Sequence, residues 1–296
     1  MSVLLETDLP VPLFRRGKVR DLYDLGDKLL VVSTDRISAL DAVLPCGIPD
    51  KGNILNRLSA FWFMKTSHII PNHFIKLVDS MDVLREYYSE ELPDYLIGRS
   101  MIVSKTKRID VECIVRGYLS GSAWAEYKET GKVGNIHLPS GIRESEELPQ
   151  PIFTPTTKGE TEHDRPLNEQ DITELGIENY YKELEEKSLL VYSYARDYAR
   201  HRNIIIADTK FEFGFVNDRL TLIDEILTPD SSRFWDVSQY EVGHSQPSFD
   251  KQPVRDWLSA SGWDEKSPLP MMSQEVIEGT AKRYNEAYTR LTGDVL

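Results

Sequence analysis

The sequence predicts a fold of mixed strands and helices that opens with a β-rich lobe, and three observations support this prediction. Two strand-like runs near the N-terminus, "KVRDLY" and "KLLVVS", are joined by the glycine-containing turn "DLGD". The stretch "NILNRLSAFWFMKTS" then has apolar residues at helical spacing. The length of 296 residues suits one large unit or two lobes.

The later elements follow from the same patterns. "RSMIVSKTKRIDVECIVRGYL" predicts two more strands at roughly 100–106 and 109–116, and "SAWAEYKET" predicts a helix that stops at Gly131. The last helix, "SQEVIEGTAKRYNEAYTRL", has Ser273 as its N-cap and Gly293 as its stop.

Residues 131–170 are rich in glycine, proline, serine, threonine and charge. This composition predicts a long irregular stretch, and such stretches in compact domains bind something or are disordered. The amphipathic helix "SLLVYSYARDYARHRN" follows and leads directly into an apolar strand.

Composition and charge exclude several classes of protein. Hydrophobic residues make up 40% and charged residues 28% of the chain, as in ordinary globular proteins. No apolar run reaches the ~18 residues that a membrane-spanning helix needs. The formal net charge of −13 argues against general binding to nucleic acid or anionic membranes. The six histidines lack the spacing of a zinc site.

The two cysteines, Cys46 and Cys113, make no disulfide framework, which fits a reducing compartment. The N-terminal residues lack the basic start and apolar core of an export signal. We therefore expect a cytoplasmic protein without nucleic-acid or membrane partners.

The run "IIIADTKFEFG", residues 204–214, carries alternating charge on an apolar strand. Successive side chains of a strand point to opposite faces, so Asp208, Lys210 and Glu212 share one face. The aromatic side chains of Phe211 and Phe213 share the other face. A half-exposed strand is the ordinary interpretation of such alternation. The three leading isoleucines instead indicate burial on both faces.

A turn at Asn217 and Asp218 brings further acids back toward this strand in "GFVNDRLTLIDEI". A three-residue loop would place Glu212 opposite Asp224, whereas a two-residue loop would pair Glu212 with Ile223. Two facing carboxylates destabilise a ladder unless a cation compensates them. Mg²⁺ suits this role because it takes carboxylate oxygens and keeps phosphate and water as its other ligands.

Other stretches place cations and hydroxyl groups where an anion could bind. "RRGKVRDLY" places Gly17 and Lys18 before a strand, and "VECIVRGYLSGSAW" places Arg116 at a strand end, ahead of serines that open a helix. Each stretch alone is explained as well by a turn, a cap or a solvated surface. Together they are the inventory of a site that joins ATP·Mg²⁺ to a phosphorylated, carboxylated substrate.

Two of these motifs carry a resemblance to a known family. "VECIVRGYLSGS" and "IADTKFEFG" resemble the signature motifs of the SAICAR synthetases. "GKVRDLY", "STDRISALD", "FTPTTKGETEHD", "LIDEILTPDSSRFW" and "DKQPVRDWL" also resemble family blocks, in family order, across roughly residues 14–258. The chain is similar to the longer form of the family, with an enlarged 131–151 segment, and a monomer is expected for that form.

The resemblance implies a fold and a reaction. An N-terminal β-rich lobe at 1–115, similar to the small lobe of protein kinases, would meet an ATP-grasp-like α+β lobe at 116–296, with nucleotide in the cleft between them. The reaction would use ATP to join L-aspartate to CAIR, the carboxylated aminoimidazole ribonucleotide, in purine biosynthesis. The products would be SAICAR, ADP and phosphate, and an acyl phosphate would be the intermediate.

The resemblance also implies residue roles. Glu212 and Asp224 would hold Mg²⁺ against the ATP phosphates, Gly17 and Lys18 would contact those phosphates, and the backbone near Lys105 would hold the adenine. The substrate would be bound by Asp35, Ser38, Asp41, Arg116, Ser120, Ser122, Lys158, Arg233 and Arg255.

Three residues are implied in the chemistry itself. Asp164 and Asp208 would contact the reacting amine or the imidazole amino group, and Lys210 would steady a phosphoryl oxygen.

Two rival functions are weaker. A kinase would share the glycine-lysine turn and a metal-binding acid, but the HRD and DFG motifs are absent from the sequence and the turn is not GxGxxG. An inactive nucleotide-binding or scaffold protein would have no need to retain the opposed charges of Glu212, Asp224, Lys210 and Arg116.

Overall fold

The computed structural model describes residues 3–40, 42–158, 165–249, 251–264 and 267–296. Its strands are, in chain order, β1 (Leu13–Arg16), β2 (Arg20–Asp24), β3 (Lys28–Ser33), β4 (Arg36–Ala39), β5 (Ala42–Gly47), β6 (Phe74–Leu77), β7 (Ser100–Ser104), β8 (Lys107–Arg108), β9 (Val111–Tyr118), β10 (Lys132–Val133), β11 (Ile136–His137), β12 (Glu147–Phe153), β13 (Thr156–Thr157), β14 (Ile204–Val216), β15 (Arg219–Ile223) and β16 (Ser232–Asp236). The α-helices are α1 (Lys51–Thr66), α2 (Met81–Arg85), α3 (Gly121–Thr130), α4 (Glu169–Glu174), α5 (Tyr181–Arg200), α6 (Gln252–Ala260) and α7 (Gln274–Thr292).

The first sheet is antiparallel, with the strand order β1-β2-β3-β7-β6. The predicted strand "KLLVVS" is β3 with the same bounds, and "KVRDLY" corresponds to β2. β3 lies at the centre because its side chains from Leu29 onward are buried, as expected for a run that is apolar on both faces.

The second sheet is built around β14, which has 13 residues. β14 pairs with β9, β15, β16 and β8, and β9 also pairs with β12 and β13. Its alternation is as predicted, because Phe211 and Phe213 are buried in the core while Asp208 and Lys210 on the other face are only half-buried. β14 is therefore the central strand of the second sheet, and one of its faces carries charged side chains.

The β14–β15 hairpin has the two-residue turn, not the three-residue alternative. Glu212 pairs with Ile223, and Val216 pairs with Arg219. Asn217 and Asp218 both have positive φ, 48° and 60°, as a type I′ turn requires.

The predicted long helices are confirmed. α1 and α3 match their predicted stretches, and α3 stops at Gly131, whose φ of 73° is left-handed. In α7 the Ser273 side chain accepts a hydrogen bond from the Val276 N–H, and Gly293 ends the helix with φ 84°. α5 packs its apolar stripe on β14 and β9.

The prediction of an irregular stretch over 131–170 is wrong in part. β12 lies inside it and pairs with β9, so this segment contributes an edge to the second sheet. Prolines at 149 and 151 hid the strand from sequence patterning, and such residues are tolerated at a sheet edge.

The change from one sheet to the other lies between Ser104 and Lys107. The expected boundary between residues 115 and 116 therefore falls inside β9. The apolar core does not divide there, because one cluster of buried side chains includes Leu29 and Val103 of the first sheet together with Phe211 of the second. None of the helices that the structure describes is both long and apolar enough to cross a membrane.

Candidate active site

A cleft of about 1420 Å³ opens between the two sheets. One part of its wall is apolar and is formed by Leu22, Leu29, Val31, Val103 and Ile223. The rest is strongly charged and includes side chains from both sheets. The cleft thus offers an apolar slot beside an ionic region, which is the pattern of a nucleotide-binding site.

The turn between β1 and β2 carries Gly17 and Lys18 at the edge of the cleft. The Gly17 N–H donates to the Arg20 carbonyl at 2.7 Å, which closes a tight turn. Arg36 braces the turn from behind, because its guanidinium donates to the Gly17 and Lys18 carbonyls, both at 3.0 Å. Asp21 in turn holds Arg36 at 2.7 Å.

Glu212 and Asp224 reach the same cleft although they are not paired across the hairpin. Asp224 follows β15 directly, and regular alternation would point it away from the face of Glu212. Its backbone is left-handed instead, with φ 68°, so the strand ends there and the alternation is broken. The two acids predicted to meet therefore line one cavity by a different backbone route.

Each of these acids has a cation beside it. Lys158 donates to Glu212, and Arg20 Nη2 donates to both oxygens of Asp224 at 2.7 Å. Burial raises the pKa of Glu212, and the nearby charge of Asp224 raises it further against the effect of Lys158. Burial also opposes ionisation of Asp224, but the charges of Arg20 and Lys158 outweigh it and hold the pKa of Asp224 well below its usual range.

Lys210 stands between the two ends of the charged face. Its Nζ donates to Glu112 of β9 at 2.7 Å. Burial disfavours the charged form of Lys210, yet Glu112 outweighs burial and keeps the pKa of Lys210 above its ordinary value. His73 closes the cavity nearby, and burial lowers the pKa of its imidazole to about 4, so the ring is neutral at pH 7.

At the other end of the charged face, three side chains form a row across adjacent strands. Asp208 of β14 is registered with Arg116 on β9 and with Arg233 on β16. Arg233 donates to Asp208 and, at 3.0 Å, to the Ser120 hydroxyl. Arg116 Nη1 lies 3.9 Å from Asp208, and its Nε donates to Thr154 at 2.9 Å. Two guanidinium groups around one carboxylate leave an excess positive charge at this end.

A smaller pocket of about 200 Å³ adjoins this row and is lined by Ser120, Gly121 and Arg233 among others. Gly121 has φ 58°, and a Cβ there would lie 2.7 Å from the Arg233 guanidinium. Glycine is therefore required for the chain to pass so close to Arg233.

The remaining predicted residues lie in different settings. Lys105 lines the cleft and pairs with Asp24 at 2.7 Å, and Ser38 also lines the cleft. Ser122 is exposed in the first turn of α3. Arg255 of α6 donates to Gln252 at 3.4 Å, and Gln252 lines the smaller pocket.

Asp35 differs from the predicted substrate contact. It is fully buried, and its oxygens accept hydrogen bonds from the Leu4 and Gly52 N–H groups and an ion pair from Arg99. This geometry makes Asp35 a structural anchor for the start of α1. Asp41 and Asp164 lie outside the described residues.

Within the described part of the chain, no group of three or more histidine, cysteine, aspartate and glutamate side chains could hold a metal. Glu212 and Asp224 are neighbouring carboxylates that share the cleft with Lys18 and Lys158. A pair of carboxylates is the usual protein contribution to Mg²⁺, which takes its other ligands from phosphate and water. The donor set fits such an ion better than zinc, which prefers nitrogen and sulfur.

Comparison with known proteins identifies the family. A family model described as SAICAR synthetase matches residues 13–270. The chain belongs to the SAICAR synthetase family. Phosphoribosylaminoimidazole-succinocarboxamide synthases from Thermodesulfovibrio yellowstonii and Syntrophobacter fumaroxidans are 49% and 51% identical to it. These alignments cover 98% and 99% of this chain and 99% and 97% of the relatives.

Solved SAICAR synthetases have the same fold. The enzyme from Saccharomyces cerevisiae, complexed with SAICAR, superposes with a TM-score of 0.88 at 42% identity and covers 99% of each chain. A SAICAR synthetase in complex with ADP superposes with a TM-score of 0.70 at 27% identity, covering 95% of this chain and 98% of that one. The predicted α+β fold with its β-rich N-terminal lobe is confirmed.

Membership of the SAICAR synthetase family also confirms the predicted enzyme class, an ATP-dependent amide-forming ligase of purine biosynthesis that joins CAIR and L-aspartate. The kinase and scaffold alternatives are set aside by the same findings.

Sequence reasoning missed several residues that line the SAICAR synthetase cleft or lie directly behind its wall. Arg20 lies two positions after Lys18, and a lone acid in the apolar strand "VECIV" was a signal for Glu112. His73, Lys51 and Asp230 carry no local signal, because their partners are distant in the sequence.

Proposed function

We propose that this cleft forms the amide in two chemical steps. A CAIR carboxylate oxygen attacks the γ-phosphorus of ATP, the bond from that phosphorus to ADP breaks, and an acyl phosphate results. The L-aspartate amine then attacks the acyl carbon, a C–N bond forms, phosphate leaves and the amine loses a proton. The first step is needed because a free carboxylate has no adequate leaving group.

The nucleotide would lie along the first sheet. Its adenine would fill the apolar slot between Leu22, Val31 and Ile223, with the Lys105 backbone at its edge. Its phosphates would reach the Gly17 and Lys18 turn, which Arg36 holds in place. A glycine lets the backbone approach a phosphate, and a lysine supplies the countercharge.

Glu212 and Asp224 would hold Mg²⁺ at the phosphate end of the slot. Burial of two neighbouring carboxylates is costly without a cation, as the raised pKa of Glu212 indicates. When bound, Mg²⁺ would neutralise charge on the phosphoryl oxygens. Arg20 and Lys158, which contact these acids, would keep the ionised carboxylates in place.

The substrate phosphate would bind at the row of Arg116, Asp208 and Arg233, with Ser120 and the smaller pocket beside it. Asp208 and Glu212 are four residues apart on one strand, so the two ends of the site are separated by ~13 Å. An elongated nucleotide substrate could place its phosphate at one end and its reacting carboxylate at the other.

Further substrate contacts would come from the surrounding elements. The residues proposed for this role are Ser38, Asp41, Ser122, Lys158 and Arg255.

Lys210 would steady a phosphoryl oxygen, since Glu112 keeps it charged between the two ends of the site. Asp208, beside the two arginines, would contact the imidazole amino group or the reacting amine, and Asp164 is proposed for the same task. We place the protein in the cytoplasm as a monomer, where its soluble substrates would be found.

The single observation that carries the proposal is that Glu212 of β14 and Asp224, directly after β15, share a cavity with Lys18 and Lys158. The test is a phosphate-release assay in which each substrate is omitted in turn. We expect phosphate release only with ATP, CAIR and L-aspartate together, and SAICAR as the product. Phosphate release or phosphoryl transfer that needs neither CAIR nor L-aspartate would indicate kinase-like chemistry and would overturn the proposal.

A further inference from the structure

A buried ionic group lies at the wall of the same cleft and has no part in the function proposed above. Lys51 at the start of α1 donates to Asp230 Oδ2 at 2.8 Å, and Tyr284 of α7 donates to Oδ1 at 2.7 Å. Lys251, just before α6, has its Nζ 3.5 Å from Oδ2. Asp230 and Lys251 line the cleft, whereas Lys51 and Tyr284 are fully buried.

The charges in this group do not balance. Two ammonium groups share one carboxylate, which leaves one positive charge at the cleft wall. Lys51 is also in an unfavourable place, because the N-terminus of a helix repels cations. A buried set of charges that does not balance is costly, and such arrangements are expected at functional sites.

The hydrogen bonds divide the two lysines by role. Asp230 makes its close contacts with Lys51 and Tyr284, while Lys251 lies beyond close hydrogen-bonding distance. Lys251 therefore keeps N–H donors for a ligand in the cleft. Burial lowers its pKa although Asp230 opposes the shift, so an anionic ligand would restore its favoured charged form.

The group is also fixed relative to the acidic hairpin. Asp230 lies in the loop that follows Asp224, and its N–H donates to Thr228 Oγ1 at 3.2 Å. The Thr228 hydroxyl donates in turn to Glu225 at 3.1 Å. Lys251 is thus held at a set distance from the phosphoryl-transfer end of the cleft.

Resting on the function proposed above, we propose that Lys51, Asp230 and Tyr284 are positioning residues that hold the Lys251 ammonium at the cleft wall to bind a substrate oxyanion. That oxyanion is a phosphoryl or a carboxylate oxygen. The buried hydroxyl of Tyr284 gives α7, which is remote in sequence, a direct connection to substrate binding.

The test is a double-mutant cycle of Tyr284→Phe and Lys251→Met in the full chain. The readouts are calorimetric Kd values for ADP with Mg²⁺ and for CAIR, and KM and kcat for all three substrates. We expect each single variant to weaken one ligand by about 10-fold, with kcat changing less than KM. The double variant should be no weaker than Lys251→Met alone, because Tyr284 acts through Lys251.

The arms of the experiment identify the oxyanion. Weakening confined to ADP assigns a phosphoryl oxygen, and weakening confined to CAIR or L-aspartate assigns an oxygen of that substrate. Tyr288→Phe, a buried tyrosine one turn later on α7, is the matched control and should leave all constants unchanged within about twofold.

Two results would overturn the inference. One is additivity of the two substitutions, and the other is an equal loss for every ligand together with a lower melting temperature. If Tyr284→Phe does not fold, Lys251→Met is compared with Lys251→Arg, which retains the charge. Equal losses in that pair also contradict the inference. A wild-type chain that makes no SAICAR contradicts the proposed function instead, and the calorimetric cycle still tests Lys251.

Discussion

At the residue scale, Asp224 combines an unusual backbone with a connection across the cleft. Its φ of 68° removes it from strand alternation, and Arg20 holds both of its oxygens at 2.7 Å. Arg20 belongs to the first sheet and Asp224 follows a strand of the second, so the pair joins the two walls. Asp224 is therefore the single carboxylate whose loss should affect the site most.

We expect Asp224→Asn to lower kcat by at least about 100-fold, because an amide cannot replace the charge that a metal ligand supplies at phosphoryl transfer. Calorimetric binding of CAIR without nucleotide should change by less than about threefold. Asp218→Asn, on the turn of the same hairpin, is the control and should retain full activity. Wild-type turnover in Asp224→Asn would remove this residue from the metal site.

Arg116→Lys should raise the KM for CAIR by about 10- to 100-fold. The planar guanidinium of Arg116 can donate to Thr154 and to an anion at the same time, whereas a lysine ammonium cannot reproduce this geometry. Steady-state kinetics with CAIR as the varied substrate measures this. The exposed Arg143, paired with Glu146, provides the matched control Arg143→Lys, for which unchanged constants are expected. An unaltered KM in Arg116→Lys would show that Arg116 grips no anion.

Asp230→Asn should destabilise the protein by about 3–5 kcal/mol at pH 7, because it leaves buried Lys51 without its partner. The charges of Lys251 and Lys51 overcome the burial penalty and hold the pKa of Asp230 well below its usual range. The stabilisation is therefore complete above the unfolded pKa of about 4 and is lost as the pH falls below it.

The gap in unfolding free energy between wild type and Asp230→Asn should accordingly narrow in acid. Urea denaturation at pH 7 and at pH 3.5 measures the gap. Asp197→Asn, on the exposed face of α5, should change stability by less than about 0.5 kcal/mol at both values. A gap that is constant with pH would contradict the assignment.

At the scale of elements, the β14–β15 turn allows a test of whether a residue type suits its backbone conformation. Asp218 has φ 60°, which glycine adopts without strain. Asp218→Gly should therefore maintain or raise the unfolding free energy by up to about 1 kcal/mol with unchanged kcat, whereas Asp218→Val should lower it by about 1 kcal/mol. Urea denaturation compares the two, and equal stabilities would contradict the turn assignment.

Elements with strong local signals were predicted from the sequence. β3 has its predicted bounds because six consecutive residues favour a strand, and α7 has its predicted ends because Ser273 and Gly293 act as local caps. β12 was missed because its pairing partner, β9, is distant in the sequence and supplies what the proline-containing run itself lacks.

The candidate site was also predictable where the signal is local, and was not predictable where it depends on contacts that are distant in the sequence. The spacing of two residues between Asp208, Lys210 and Glu212 fixed their common face, because alternation is a property of any strand. The register of the hairpin stayed open until the turn was seen, since one residue of loop length reverses the face. The partners Arg20 and Glu112 could not be assigned, because each lies on a strand that is distant in the sequence from the residue it contacts.

At the scale of the whole molecule, ligand binding should stabilise the fold in a way that separates nucleotide from metal. Saturating ADP with Mg²⁺, at about 100 times Kd, should add roughly 2.7 kcal/mol and raise the melting temperature by several degrees. Chelation of Mg²⁺ with EDTA should remove most of this shift. A melting-temperature shift of the same size with and without EDTA would show that nucleotide binding does not use the metal. The same measurement on Asp224→Asn provides a variant for comparison.

The apolar core that runs without a break from Leu29 to Phe211 has a consequence for how substrates enter and leave. Because the two sheets share this core, they cannot separate by a rigid-body opening motion without exposing the core to water. We therefore expect local movement of loops at the edge of the cleft, such as the Gly17–Lys18 turn, to control the access of substrates to the cleft. Turnover should accordingly respond to the stiffness of that turn rather than to any hinge.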